Sequence, residues 1–142
     1  MALTITCASV IASSAAQWDF KTAGGTITRG QPIAVQADGT VVAANANAGS
    51  TILPVAIGIS MSDVGSGQRC YYVTRDPSFT HGILASEIAP GQPVYLDDTA
   101  GGMTVTYSDI DAADYATLIG QINNAETTMN LLPQTPVLKA AS

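Results

Sequence analysis

Gly30-Gln31-Pro32-Ile33-Ala34-Val35, followed by Asp38-Gly39 and then Thr40-Val41-Val42, is the stretch that decides the fold. Two short β-rich runs around an Asp-Gly pair predict a hairpin, because its tight turn needs a residue at positive φ. Glycine supplies a tight turn into the first strand, and proline fixes φ at that strand's first residue. The same order returns at Gly91-Gln92-Pro93-Val94-Tyr95-Leu96, with Met103-Thr104-Val105-Thr106 after its turn. Ala56-Ile57-Gly58-Ile59 finds its counterpart in Leu118-Ile119-Gly120-Gln121-Ile122 at almost the same offset. A three-residue match alone is close to chance. Its continuation in register makes the repeat credible.

Working outward, Arg69-Cys70-Tyr71-Tyr72-Val73-Thr74 predicts another strand, launched by Gly65-Ser66-Gly67 and ended by Asp76-Pro77. Residues 50–60 predict a buried strand with Pro54 near its start. The one plausible helical turn covers residues 108–116, with Ser108 or Asp109 as its cap. The expected fold is therefore all-β: a compact β-barrel, β-tulip-like or sandwich domain built from two related β-units facing one core. An extended N-terminal arm and at most one short helix complete it. The boundaries read as an arm over 1–25, a β-domain over 26–128 with repeats at about 30–60 and 91–122, and an extended tail over 129–142.

The arm has an apolar, small-residue character over 3–16, but no Lys or Arg precedes Lys21, so it lacks the basic start of a signal peptide. Leu3 and Ile5 alternate with Thr4 and Thr6 as a strand would. We read it as an ordered, β-like arm. Among isolated aromatics, Trp18 and Phe20 at its end are the best anchors for a protein–protein contact, against the plainer reading of core satellites.

Charged residues make up only 11% of the 142-residue chain, where about 25% is usual. A surface of Ser, Thr, Asn, Gln, Gly and small apolar groups tolerates permanent burial against a partner, since little ionic desolvation is needed. The net charge of −6 argues against a reader of phosphate backbones, and no apolar run is long enough to cross a bilayer. Cys7 and Cys70 form neither a disulfide framework nor a metal cluster. Two reduced, mostly buried thiols are expected, with a bridge between them left open and a cytosolic lean.

No catalytic or ligand-binding signature matches the sequence. His81 is the sole histidine, with Ser78 and Asp76 near it in sequence, but Gly58-Ile59-Ser60 lacks the second glycine of a nucleophile elbow. His81 is expected to be a loop residue or an interface hydrogen-bonder. Asp109, Asp111 and Asp114 miss the calcium-loop pattern, because Asp114 and Gly120 stand where Gly and Glu are required; they read as the acidic start of a helix. Asp97-Asp98 reads as turn chemistry, and Gly65-Ser66-Gly67 carries no phosphate-loop lysine. No enzyme, cofactor or metal is expected.

The stretch from Gly30 through Gly39, Thr40 and Val41, followed by Pro54-Val55-Ala56-Ile57-Gly58-Ile59, resembles the capsid decoration, or cement, proteins of tailed bacteriophages. The likeness covers roughly residues 26–122 and is a pattern of turns and strands, not a catalytic signature. It implies a non-catalytic homotrimer on the outer capsid surface of a virion, made in the bacterial cytoplasm. Such a protein bridges capsomers of the major capsid protein and holds the shell against internal DNA pressure, with no direct contact to nucleic acid or membrane. Leu3, Ile5, Val10, Ile11, Trp18 and Phe20 of the arm are then the candidate partner-binding residues. Deleting residues 2–20 is expected to abolish shell binding and leave the β-domain folded. The alternative is a β-sandwich binding module for a glycan or host surface, which predicts several aromatics on one exposed face. A small hydrolase would instead need a deep pocket holding His81 beside a hydroxyl or thiol.

Overall fold

Each Gly-Gln-Pro unit folds by the same set of backbone bonds. In the computed structural model, which describes residues 2–45, 56–97, 99–107, 110, 115–134 and 137–138, the strands are β1 (Gln17–Thr22), β2 (Pro32–Val35), β3 (Val41–Ala43), β4 (Gly58–Ser60), β5 (Arg69–Thr80), β6 (Pro93–Leu96), β7 (Met103–Thr104), β8 (Tyr115–Ala116), β9 (Leu118–Ile122), β10 (Thr128–Leu131) and β11 (Val137–Leu138). Gly30 and Gly91 take positive φ, 95° and 82°. The Gly30 amide donates to the Ser60 carbonyl at 2.8 Å and the Gly91 amide to the Ile122 carbonyl at 2.9 Å. Glutamine has its own duty: the Gln31 Oε1 accepts the Thr28 amide at 3.0 Å, and the Gln92 Oε1 accepts the Ala89 amide at 2.7 Å. Each therefore staples the turn that feeds its strand.

The turns that follow also agree. Asp38 accepts the Thr40 amide and hydroxyl at 3.0 and 2.6 Å, which holds its carboxyl below the usual carboxylate range. Asp97 accepts the Thr99 amide at 3.1 Å. Gly39 and Gly101 provide the positive φ in the two turns.

The main sheet runs β3-β2-β4-β5-β10-β9-β6-β7, with β1 added on β5, and it is antiparallel and curled into a half-barrel. Read from either end, this order places a hairpin, an inner strand and then β5 or β10 in the same succession. The central β5·β10 pair, which joins the two units, is antiparallel. They do not form two separate layers. They continue one sheet, whose curl brings Ala34, Ile59 and Val73 of one unit into a single core with Val94, Ile119 and Met129 of the other. A smaller cluster of Ala23, Ile27, Ile33, Val41, Cys70 and Tyr72 covers the opposite face of the first unit. That unit is thus buried on both faces, which explains why β2 reads as a continuous apolar run.

Several sequence expectations are corrected. β5 does not end at Asp76-Pro77 but continues to Thr80. Proline is tolerated there because the register shifts opposite this stretch, between Gln17 and Trp18 on β1 and between Met129 and Leu131 on β10. Tyr115 and Ala116 are not the end of a helical turn; they pair with Val137 and Leu138. Residues 108, 109 and 111–114, including Asp109, Asp111 and Asp114, lie outside the described residues, as do Asp98 and 51–55 with Pro54. Met129 and Leu131 belong to the core through β10, so a tail starting at 129 would cut a strand. Beyond it, the Leu132 and Gln134 amides still donate to Ile119 and Leu118 of β9, at 2.9 and 2.8 Å.

The N-terminal arm is extended, but it lies on its own chain. Ile5 bridges Ile83, Ile11 bridges Thr80, and β1 pairs with β5 from Arg75 to Arg69. The segment 11–22 therefore runs antiparallel along β5 and makes it an interior strand: Val73 sits between Ile59 and Trp18, and Thr80 between Ile11 and Thr128. The buried Asp76 carboxylate fastens the bend between them. It accepts the Ser13 amide at 2.7 Å, the Ser13 hydroxyl, and the Ser78 amide at 3.0 Å.

Candidate assembly surface

The arm residues separate into two groups. Val10 is fully buried in the main core, and Leu3 and Ile5 are partly buried against it. Val10 is therefore corrected: it is a core residue and presents nothing to a partner. Ile11, Trp18 and Phe20 are exposed, at 54%, 53% and 49%. Cys70 is buried as expected and its thiol is pushed up by that burial, but Cys7 is exposed; both are free.

Two of the exposed arm residues join a cluster that sequence reasoning missed in part. In the β1·β5 ladder Phe20 stands directly opposite Tyr71, and Thr22 opposite Arg69. The Phe20 and Tyr71 rings lie 5.7 Å apart, tilted by 46°. The Arg69 guanidinium sits 4.6 Å above the Phe20 ring centroid, a cation–π contact, and its Nη1 is 3.5 Å from the Tyr71 hydroxyl. Trp18 lies on the same strand two residues away, opposite Val73. Tyr72 stands opposite Asp19 in the same ladder, and burial together with that carboxylate pushes the Tyr72 pKa up to about 12. Asp19 also accepts the Phe20 amide at 2.8 Å. Tyr71 and Arg69 were legible only through register: both are exposed, at i and i+2 on β5, opposite Phe20 and Thr22 respectively.

His81 is indeed a loop residue, directly after β5, but a buried one with both ring nitrogens engaged by the backbone. Nε2 meets the Glu126 carbonyl at 2.7 Å, and Nδ1 accepts the Ile83 amide at 2.9 Å, so the neutral ring carries its proton on Nε2. Neither nitrogen holds a hydroxyl or thiol. Burial pulls the His81 pKa below its ordinary 6.5. The unfolded chain takes up a proton as pH falls through that value and the folded chain does not. His81 therefore costs no stability above pH 6.5 and progressively more as the pH drops towards the depressed folded value. Urea unfolding should show wild-type stability declining on acidification through this window by more than that of His81→Gln. His81→Ala should cost about 3 kcal/mol, since two backbone groups lose their partner.

Two hollows flank β5. One, of about 330 Å³, is lined by Arg75, Asp76, Asn130 and Leu132 among others, and its floor carboxylate is already committed to Ser13 and Ser78. The other, of about 230 Å³, lies at the far end around His81 and Leu84. Among the described residues, no three His, Cys, Asp or Glu side chains gather as a metal site. In comparisons with known proteins, no family model, no curated protein and no solved structure matches the chain.

Proposed function

We propose that this chain is a structural capsid decoration protein of a tailed bacteriophage, assembling with its own copies as a homotrimer on the outer head surface. There it bridges capsomers of the major capsid protein and performs no reaction. The observation that carries this reading is the exposed Trp18–Phe20–Tyr71 face on a chain with so few charges. Aromatics beside an arginine are the residue types that dominate protein interfaces, and a charge-poor surround costs little to dehydrate. The resemblance carried by the Gly-Gln-Pro units points the same way. Several modest footprints per trimer add through effective concentration, so no single patch needs to be large.

The test is co-sedimentation with undecorated heads of the phage that encodes the chain. Wild type should pellet with the heads to saturation, and Phe20→Asp should bind at least about thirty-fold more weakly, as expected for a buried aromatic anchor. Wild type left in the supernatant sinks the reading.

One observation favours a glycan-binding module instead: three aromatics are exposed on neighbouring strands. Sugars stack on open, flat ring faces, whereas one face of Phe20 is covered by Arg69 and Tyr71 is tilted from it by 46°. Saccharide binding that disappears in Trp18→Ala would establish this second reading.

A further inference from the structure

β1 is an edge strand whose outer side is open. Among the described residues, β5 is the only strand that pairs with it. Which of its backbone groups face outward follows from its neighbours. Tyr71, opposite Phe20, spends its amide on the Ser62 Oγ at 3.1 Å and its carbonyl on the Met61 amide at 2.8 Å, both directly after β4. Ala23 turns the other way, exchanging bonds of 2.8 Å with the Gln68 carbonyl and the Gly67 amide just ahead of β5. Backbone direction alternates along a strand, so Asp19, Lys21 and Ala23 bond towards β5, while Trp18, Phe20 and Thr22 turn their amides and carbonyls to the open edge. There the Phe20 amide meets the carboxylate of the preceding Asp19, at 2.8 Å. Beyond Thr22 the edge is covered, because the Gly24 amide donates to the Val41 carbonyl at 2.8 Å. Side chains alternate too, which puts Trp18 and Phe20 on one face of the strand and Asp19 and Lys21 on the other.

We propose that this edge pairs with the same edge of a second copy, antiparallel and two-fold symmetric about Phe20. Outward-facing residues must stand opposite one another for the ladder to form, which leaves few registers. Centred on Phe20, the Phe20 residues of the two copies exchange both backbone bonds, and Trp18 does so with Thr22 of the second copy. Asp19 then stands opposite Lys21 of the second copy, and the symmetry repeats the pair. The next register on either side sets Asp19 against Asp19 or Lys21 against Lys21, and like charges directly opposite are destabilising. Asp19 and Lys21 flank Phe20 at equal distance, so the strand is complementary to itself. A second copy is thus the occupant whose open edge and whose charges both match. An edge carrying charges of one sign would instead repel its twin. Pairing consumes the edge of β1 and leaves its faces open, so Tyr71 and Phe20 of both copies fall in one row across the joined sheet. The exposed aromatic face is doubled. A two-fold contact closes at a pair, which goes beyond the homotrimer reading. On a head it joins a copy in one trimer to a copy in the next.

Charge exchange on the full chain tests the pairing, with mass read by light scattering over a dilution series. Wild type should gain mass as concentration rises. Asp19→Lys and Lys21→Asp each set like charges opposite one another in the self-pair, and each should weaken association at least about ten-fold. Mixed in equal amounts, the two variants meet opposite charges again at both positions and should associate as wild type does. Thr22→Pro removes an edge amide that β5 does not use, and should weaken association likewise with the aromatics and charges intact. All variants should keep the wild-type circular dichroism; where a charge variant loses it, Thr22→Pro decides alone. The proposal is overturned by a mixture no tighter than its parts or by Thr22→Pro associating like wild type. A wild type whose mass stays that of one chain or one trimer up to its solubility limit overturns it as well. Heads are absent from this test, so its failure leaves the decoration reading standing. Heads left bare by a chain that pairs remove that reading only.

Discussion

Replacing Gly58 or Gly120 by alanine should cost about 3 kcal/mol or more in each case, a large share of the roughly 5–15 kcal/mol that keeps an ordinary domain folded. A Cβ on Gly58 would stand 2.4 Å from the Val73 carbonyl oxygen, and one on Gly120 would stand 2.3 Å from that of Asn130. Both obstacles are backbone atoms of the neighbouring strand, β5 or β10, so no side-chain rotation relieves them. The two glycines occupy the same place in the two units, opposite Ile33 and Val94 of the Gly-Gln-Pro strands. Similar penalties at both would follow from these matching positions. Gly25→Ala is the control, because its Cβ would find only Val42 Cγ1, at 3.9 Å. It should change stability by less than about 1 kcal/mol. Urea unfolding of the three variants checks this, and an alanine at 58 as harmless as one at 25 would contradict the packing described.

The second large effect sets Val10 against Ile11. Val10→Asp places an unpaired carboxylate in a fully buried site, packed over Gly30 and Gly82, and should cost about 3 kcal/mol or more. Ile11→Asp, one residue on and 54% exposed, should stay within about 1 kcal/mol of wild type. The same contrast revises the expected deletion of residues 2–20. That truncation removes Val10, the Ile11–Thr80 bridge, the Ser13 partners of Asp76 and four of the six residues of β1, so it should yield an unfolded chain and not a bare β-domain. Thermal melts of Val10→Asp and Ile11→Asp measure the difference directly. Equal melting temperatures would show that the arm is a detachable appendage.

The duplicated unit was legible because its information is local. Glycine at positive φ, proline at a strand start and an Asp turn each act within a few residues, and the chain states them twice. Even so, the part played by Gln31 and Gln92 was present in the repeat and went unread: a glutamine kept in both copies has a bond to make. What stayed hidden was long-range. Asp76-Pro77 looks like a strand stop until Ser13, 63 residues away, supplies the missing partners. His81 looks like a surface loop residue until the Glu126 carbonyl, 45 residues on, closes over it. The arm reads as free because alternation predicts a strand without saying whose sheet it joins. Trp18 and Phe20 were found from residue type alone. Tyr71 and Arg69 became part of their face only through the register of β1 on β5.

The central claim is that the exposed aromatic face serves assembly on a viral shell. Electron cryomicroscopy of heads grown without this chain, then incubated with it, tests that claim most directly. The account predicts added density at the three-fold and quasi-three-fold positions of the outer surface, three copies to each, and none with Phe20→Asp. Bare heads after incubation with folded wild-type protein would contradict it.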